Sequence, residues 1–483
     1  MITRAIMLQG TGSDVGKSLV VAGLCRLFAR KGLRVAPFKA QNMSNNAAVT
    51  EGGEIGRAQW LQALAAGVNS SVHMNPILLK PQSDRSSQVI VRGKVSATMN
   101  AQDYQAYRPT LLPQVLESYY HLAKNADIIL AEGAGSPAEI NLRQGDIANM
   151  GFARAAHCPV VLIGDIDRGG VIASIVGTHT VLPPEDRAMI RGFLINKFRG
   201  DPTLFDKGAS EITRYTGWSN LGLIPHHPSL MQLPQEDSLA LFSPRNTLQH
   251  KGPHIVILNY PHIANFDDLD PLQNEPNIRV TWLREGDVIP TDAALVILPG
   301  SKATIADLAF LRAQGWDKAL HEYHQQGGKI LGICGGYQML GALLADPEGI
   351  EGAAQEVVGL GLLDISTVFT RNKILAPWQG NYGEHTVTGF EMHCGISDGT
   401  ACMRPYFTGE GARSKDNKIW GTYVHGLFVS DDFRRQFLQE LGAEPSHYHY
   451  YAHIHSILDG WADILEQTIP METLLSLAMP VKP

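Results

Sequence analysis

A chain of 483 residues, 44% hydrophobic and 18% charged, is too long for one compact core and is expected to divide into two or three domains. Its net charge of −7 excludes the basic footprint of a nucleic-acid binder. Cys25, Cys158, Cys334, Cys394 and Cys402 show neither metal-type spacing nor a disulfide framework, the start lacks a signal-peptide pattern, and no apolar run reaches membrane-spanning length; together these point to a soluble cytoplasmic protein.

In chain order, Ala5-Ile6-Met7-Leu8 reads as a buried parallel strand and residues 19–28 as a helix. Between them lies Gly10-Thr11-Gly12-Ser13-Asp14-Val15-Gly16-Lys17-Ser18. Strand, glycine-rich turn and helix make a phosphate cradle. N–H groups of the turn around Gly12 and Gly16 face the anion, Lys17 neutralises charge, and the Ser18 hydroxyl suits magnesium. The leading Gly10 stands one residue earlier than the usual spacing, where Thr11 takes the first glycine's place.

A second strand, residues 34–39, ends in Lys39, and the polar loop Gln41-Asn42-Met43-Ser44-Asn45-Asn46 follows at its carboxyl end, where α/β folds place ligands. Residues 54–66 have helical periodicity, 87–93 read as a strand with a turn, and 103–124 as a long helix. The strand 127–131 delivers Glu132 into the turn Gly133-Ala134-Gly135, the kind of place where P-loop proteins keep a magnesium-related carboxylate. Asp146 lies in a polar loop before a helix at 147–156. The strand 159–164 ends in Asp165, and Asp165 and Asp167 are either ligands or helix caps. Asn196-Lys197, in the strand 192–198, sits where related nucleotide folds contact the base, and 221–225 reads as the last strand. This alternation predicts a doubly wound, mostly parallel sheet over residues 1–230, followed by a linker at 231–252.

The strand pattern restarts at 254–259. Asn265-Phe266-Asp267-Asp268 is an acidic loop or short helix start, 278–283 and 293–298 are strands, and 304–325 is a helix after Pro299-Gly300-Ser301-Lys302. Gly332-Ile333-Cys334-Gly335-Gly336, between a strand and a helix, is the thiol version of a nucleophile elbow: small neighbours permit the sharp turn and the helix N-terminus favours the thiolate. The N–H of Gly335 and one near Gly300 are oxyanion-hole candidates. The base a thiol needs is His425, at the end of a strand in the same half. His447, His449, His453 and His455 read as a polar helix face rather than a metal site, and His226 and His227 as turn residues. The second domain spans 253–445, and 446–483 form a helical tail packing on it.

The P-loop, in its longer form with Val15 before Gly16-Lys17, resembles the dethiobiotin synthetase branch. Joined to a cysteine elbow, it resembles the glutamine-dependent amidotransferases of corrinoid side chains, most closely the cobyric acid synthase family. The resemblance rests on the P-loop, on Phe38-Lys39-Ala40-Gln41-Asn42-Met43-Ser44, on residues 75–81 and 87–90, and on Ala131-Glu132-Gly133-Ala134-Gly135-Ser136-Pro137-Ala138-Glu139. It extends through Asn265-Phe266-Asp267-Asp268 and Gly389-Phe390-Glu391-Met392-His393, and so covers nearly the whole chain. It implies a class I, flavodoxin-like glutaminase half in which Cys334 attacks glutamine and His425 acts as base and then acid. It also implies an ATP- and magnesium-dependent half that activates carboxylates as acyl phosphates. The implied substrate is adenosyl-cobyrinic acid a,c-diamide, amidated at the b, d, e and g positions, with no nucleic-acid or membrane partner. Lys17 and Lys39 would meet phosphates, Ser18, Glu54 and Glu132 would hold magnesium, and Asn42, Asp146 and Asp165 would lie near the activated carboxylate. Class I glutaminases commonly carry a glutamate two residues after the histidine; here that position is Leu427, which leaves the imidazole's orienter open. Glu391 is a candidate orienter, beside a pocket or domain-contact role. The a,c-diamide synthases share this two-half plan, and a MinD-like ATPase switch explains the P-loop while leaving Cys334 and His425 idle.

Overall fold

The computed structural model describes residues 2–83, 86–236 and 252–482, so most of the expected linker lies outside the described residues. In the first half, β1 (Arg4–Gly10) runs into the glycine turn and α1 (Lys17–Arg30), followed by β2 (Val35–Lys39) and α2 (Arg57–Ala66). Then come β3 (Ile128–Glu132), α3 (Met150–Ala155), β4 (Val160–Asp165), β5 (Ile190–Phe198) and β6 (Ser219–Pro225). The six strands pair in parallel in the order β6-β5-β4-β1-β3-β2. Nearly every residue of β1, β3 and β4 is buried, as continuous apolar runs covered on both faces require. Glu132, Asp165 and Asn196 all lie at or near the carboxyl ends of these strands, around the turn between β1 and α1.

The second half carries a parallel sheet of β7 (His254–Leu258), β8 (Arg279–Leu283), β9 (Ala293–Leu298) and β10 (Ile330–Ile333), with α4 (Gly335–Leu340) after β10. A long hairpin, β11 (Ser366–Tyr382) and β12 (His385–Asp398), precedes β13 (Ile419–Thr422), and the parallel order is β8-β7-β9-β10-β13. The two-half α/β plan therefore holds, while the hairpin has no counterpart in the sequence reading. It reaches back to the first half: Met392 packs with Ala47, Leu78 and Ile90.

Several expected boundaries shift for identifiable reasons. Residues 47–56 form a hairpin, Ala47–Thr50 paired with Gly53–Gly56, so α2 starts three residues later than the periodicity suggests. The helix at 304–325 breaks at Gly315, which adopts φ +72°. The 103–124 helix breaks at a 3-10 turn, Arg108–Leu111, because Pro109 has no N–H to give a continuing helix. The first half also runs past residue 230, since Glu236 reaches the phosphate cradle.

The tail is corrected as well. α5 (Tyr450–Thr468) packs its apolar stripe on α1 of the first half rather than on the second domain, which it meets at its first residue, where the Tyr450 N–H donates to Asp431 Oδ1, and Met479–Pro480 pairs antiparallel with the start of β1. The apolar stripe Ile454, Ile457, Leu458, Trp461 and Leu465 joins Val20, Val21 and Leu24 in one core. Gly23 permits the close approach: a Cβ there would lie 2.4 Å from Trp461 Cδ1. The indole N–H donates to Leu19 O at 2.8 Å. Trp461→Ala is expected to destabilise the first half by about 3–5 kcal/mol, the usual cost of emptying a buried aromatic site; denaturant titration of the variant against the parent checks it.

Candidate functional site

Cys334 joins β10 to α4 with φ +50° and ψ −109°, a conformation that L-residues adopt only when the surroundings hold it. Three small neighbours allow it. A Cβ on Gly332 would come 2.7 Å from Gly336 O, one on Gly335 would stand 2.8 Å from Ser301 N, and one on Gly336 2.0 Å from Leu298 O. The thiol is buried, with Sγ 3.6 Å from Met392 O. Gly300 and Cys334 line one cavity with His425, and a Cβ on Gly300 would lie 3.3 Å from His425 Cε1. The turn around Gly300 and Gly335 thus stays side-chain-free beside the sulfur.

His425 shares the cavity with Cys334 and stacks on Phe390. Its orienter is Asp268. Nδ1 donates to Asp268 Oδ2 at 2.6 Å, and the N–H of Gly426 donates to Oδ1 at 2.7 Å. With Nδ1 so engaged, Nε2 is the nitrogen left for the thiol. Burial alone would lower the imidazole pKa; the Asp268 carboxylate and the Cys334 sulfur outweigh it and raise it to about 10. The imidazole therefore favours its protonated form. Glu391 does not orient the histidine. On β12, Phe390 is opposite His425 and Glu391 opposite Val424, so alternation directs the Glu391 side chain to the other face. Asp268 was legible only as part of an acidic stretch, because 157 residues separate it from His425.

The phosphate cradle forms around α1. Lys17 Nζ donates to Gly12 O at 2.8 Å and Gly135 O at 3.1 Å, and burial lowers its pKa to about 8. Gly16 adopts φ +90°, and a Cβ there would collide with Asn196 Nδ2 at 2.4 Å. Ser18 Oγ donates to Glu132 Oε1 at 2.7 Å, Gln62 Nε2 to Glu132 Oε2 at 2.7 Å, and Lys39 Nζ pairs with Glu132 at 2.9 Å. Burial would raise the Glu132 pKa, but Lys39 and these donors hold it below the usual range. Glu236, missed at the sequence level because it falls in a stretch without periodicity, lies 3.3 Å from both Ser18 Oγ and Lys39 Nζ and accepts from Asn42 Nδ2. A hydroxyl and two carboxylates around Ser18 are hard oxygen donors of the kind magnesium takes.

Four expected site residues stand elsewhere or do other work. Glu54 leaves the magnesium set: Lys80 holds Oε2 at 2.5 Å and Lys373 holds Oε1, and despite burial these ammoniums lower its pKa to about 2. Asp146 accepts N–H bonds from Ala148, Asn149 and Gly151, so its carboxylate braces the backbone that leads into α3. Asn196 donates to Val15 O at 2.8 Å and braces the P-loop backbone. Asp165 pairs with Lys197 at 2.8 Å and accepts from the Asp167 N–H at 2.8 Å. At the C-terminal end, His453 Nε2 meets Gln232 Oε1 at 2.6 Å, and among the described residues no group of three His, Cys, Asp or Glu gathers to hold a metal. No helix among them is long and apolar enough to cross a membrane.

Residues 6–240 match the CobQ/CobB/MinD/ParA nucleotide binding domain, and 254–433 match the CobB/CobQ-like glutamine amidotransferase domain. The chain is 54% identical to the cobyric acid synthase of Methylorubrum populi over 99% of its own length and 100% of that protein's. It is 54% identical to that of Brucella anthropi with the same coverage, and 55% identical to one from Cereibacter sphaeroides over 98% of this chain and 99% of that one. The chain belongs to the cobyric acid synthase family. Like other members it joins a nucleotide-binding half to a glutamine amidotransferase half, and it is an ATP-dependent, glutamine-hydrolysing ligase.

Asp268 carries a direct consequence for the pH profile. Ammonia leaves only while the imidazolium can protonate it, so hydrolysis is lost as pH rises through the raised histidine pKa, near 10. Asp268→Asn removes the charge that raises it. The alkaline limb of glutamine hydrolysis is expected to move toward neutral pH, and kcat to fall roughly 10²–10⁴-fold. A pH–rate profile of variant against parent measures both.

Proposed function

We propose that this chain makes cobyric acid, amidating the b, d, e and g carboxylates of adenosyl-cobyrinic acid a,c-diamide with ATP and glutamine. One observation carries the reading: a lysine- and carboxylate-lined phosphate cradle and a Cys334–His425–Asp268 site occur in one chain whose relatives over its full length are cobyric acid synthases. The same relatives favour it over the a,c-diamide synthase reading, and the cysteine site over a nucleotide switch alone. The five unpaired cysteines support a cytoplasmic location.

The residues divide the work as follows. Cys334 Sγ attacks the glutamine amide carbon, and the oxygen that gains charge lies beside the Gly300 and Gly335 turns, whose N–H groups stabilise it. His425 gives its Nε2 proton to the departing nitrogen, so the C–N bond breaks and ammonia leaves a thioester. Water, deprotonated by the same imidazole, then hydrolyses the thioester to glutamate and restores the thiol. In the first half, Lys17 leaves its two carbonyl partners for the ATP phosphates, and Lys39 adds a second positive charge. Ser18, Glu132 and Glu236 would hold magnesium, which would supply charge neutralisation at the phosphates; the γ-phosphoryl group passes to a substrate carboxylate oxygen and ADP leaves. Ammonia displaces phosphate from the acyl phosphate and the amide forms. Asn42 and Asp165 edge this region, and Asp146 shapes it by fixing the start of α3.

The direct test is mass spectrometry of corrinoid products formed with ATP and glutamine: four successive amidations of the a,c-diamide are expected, and an unmodified substrate refutes the reading. Cys334→Ala is expected to lose glutamine-driven amidation and keep the reaction driven by ammonium salt at alkaline pH. Lys17→Ala is expected to lose both, by about 2.7–4 kcal/mol of transition-state stabilisation. Glu132→Gln is expected to raise the magnesium concentration needed for amidation while leaving glutamine hydrolysis unchanged; a magnesium titration of each activity checks it.

A further inference from the structure

Asp268 works only if its two oxygens stay on His425 Nδ1 and the Gly426 N–H, and the segment that carries it is short. It lies in a 3-10 turn, Phe266–Leu269, entered through Asn265 at φ +52° and continued by one helical turn, Asp270–Gln273, with Phe266, Leu269 and Leu272 packed into the second half's core. So short a segment is marginal by itself, and a non-glycine residue in the left-handed region needs an outside hold. Beyond that apolar packing, the entry residue and the carboxylate beside Asp268 are held by the first half of the chain. Asn265 Nδ2 donates to Ala47 O at 2.8 Å, and the Asp267 carboxylate pairs with the Arg57 guanidinium, both groups being buried. Arg57 is itself fixed: it opens α2, its N–H donates to Asn46 O at 3.1 Å, and its guanidinium lies 4.2 Å from the Trp60 ring centre. The other charged and titratable groups facing this pair are Asp268, His425, and Tyr450 and Tyr451 of α5.

We propose that Arg57, a residue of the nucleotide-binding half, is a positioning residue for glutamine hydrolysis: it anchors Asp267 and thereby sets Asp268 against His425. The proposal rests on the Cys334–His425–Asp268 reading and assigns it a member the second half does not contain. On this proposal the first half adds the last restraint on the glutaminase geometry. The guanidinium meets Asp267 through one nitrogen, so a lysine ammonium can replace it and a neutral side chain cannot.

The test uses the full-length chain. Arg57→Ala is expected to lower kcat for glutamine hydrolysis about 10- to 100-fold, the scale on which a displaced catalytic group acts. It should also move the alkaline limb of the pH–rate profile toward neutral pH, as the imidazole loses Asp268, while ammonium-driven amidation stays close to the parent's. Arg57→Lys is expected to recover most of the hydrolysis rate. Parent-like hydrolysis and an unmoved alkaline limb in Arg57→Ala overturn the proposal. If Arg57→Ala also loses ammonium-driven amidation, Arg57→Lys and Arg57→Gln decide between positioning and general packing: a rate recovered by lysine alone supports positioning, and equal rates overturn it. Failure of the underlying reading is separate, since it would appear as parent-like hydrolysis in Cys334→Ala.

Discussion

Taking a carboxylate out of water costs several kcal/mol unless cations or N–H donors replace the lost water. This chain buries Glu54, Glu132, Asp267 and Asp268, and each is met by partners from a distant segment. Lys39 and Gln62 reach Glu132, Lys80 and Lys373 reach Glu54, Arg57 reaches Asp267, and His425 reaches Asp268. Such pairs add little net stability, but breaking one leaves an uncompensated charge, at a cost of about 3–5 kcal/mol. Two of them, Glu54–Lys373 and Arg57–Asp267, join the halves. The docked arrangement is therefore the one in which Glu54 and Asp267 keep their counter-charges, and on the proposal above the catalytic geometry of the second half depends on it.

The two sites are prepared in different ways. At Cys334 the backbone is held in a conformation that its side chain disfavours, and glycines on both sides leave room for the neighbouring strand and turn. At the P-loop the strain is electrostatic instead: Lys17 is buried on carbonyl oxygens, and desolvation lowers its pKa to about 8. An incoming phosphate offers it the full negative charge that the carbonyls lack. Each site thus stores a cost, in backbone conformation at Cys334 and in desolvated charge at Lys17.

The two halves were largely readable because their strands are continuous apolar runs ending in chemistry, as in 127–132 into Glu132 and 329–333 into Cys334. What escaped follows from physics that acts between segments. Asp268 orients His425 across 157 residues, and no local spacing encodes that distance. Glu54 has the right charge for magnesium, but its hairpin carries it to Lys80 and Lys373. Asp146 and Asn196 spend their hydrogen bonds on backbone, a distinction that residue type alone does not make. The tail helix has an apolar stripe that would suit either half, and only the notch at Gly23 selects α1.

The cavity at Cys334 is walled by both halves, with Asn45 and Lys80 from the first and Lys302 and Lys373 from the second. On the reading proposed above, nitrogen is released into this space. In neutral water ammonia is mostly ammonium, which has no lone pair and cannot attack an acyl phosphate. Burial together with neighbouring positive charge disfavours a further cation, the same effect that lowers the pKa of Lys80 to about 8 and that of Lys302 below its ordinary value. The surroundings that depress these lysines act in the same sense on ammonium and favour the free amine. On that reading the lysines lining the cavity bias the released nitrogen toward the form that the next step uses, against the opposing pull of Glu54 and Glu351.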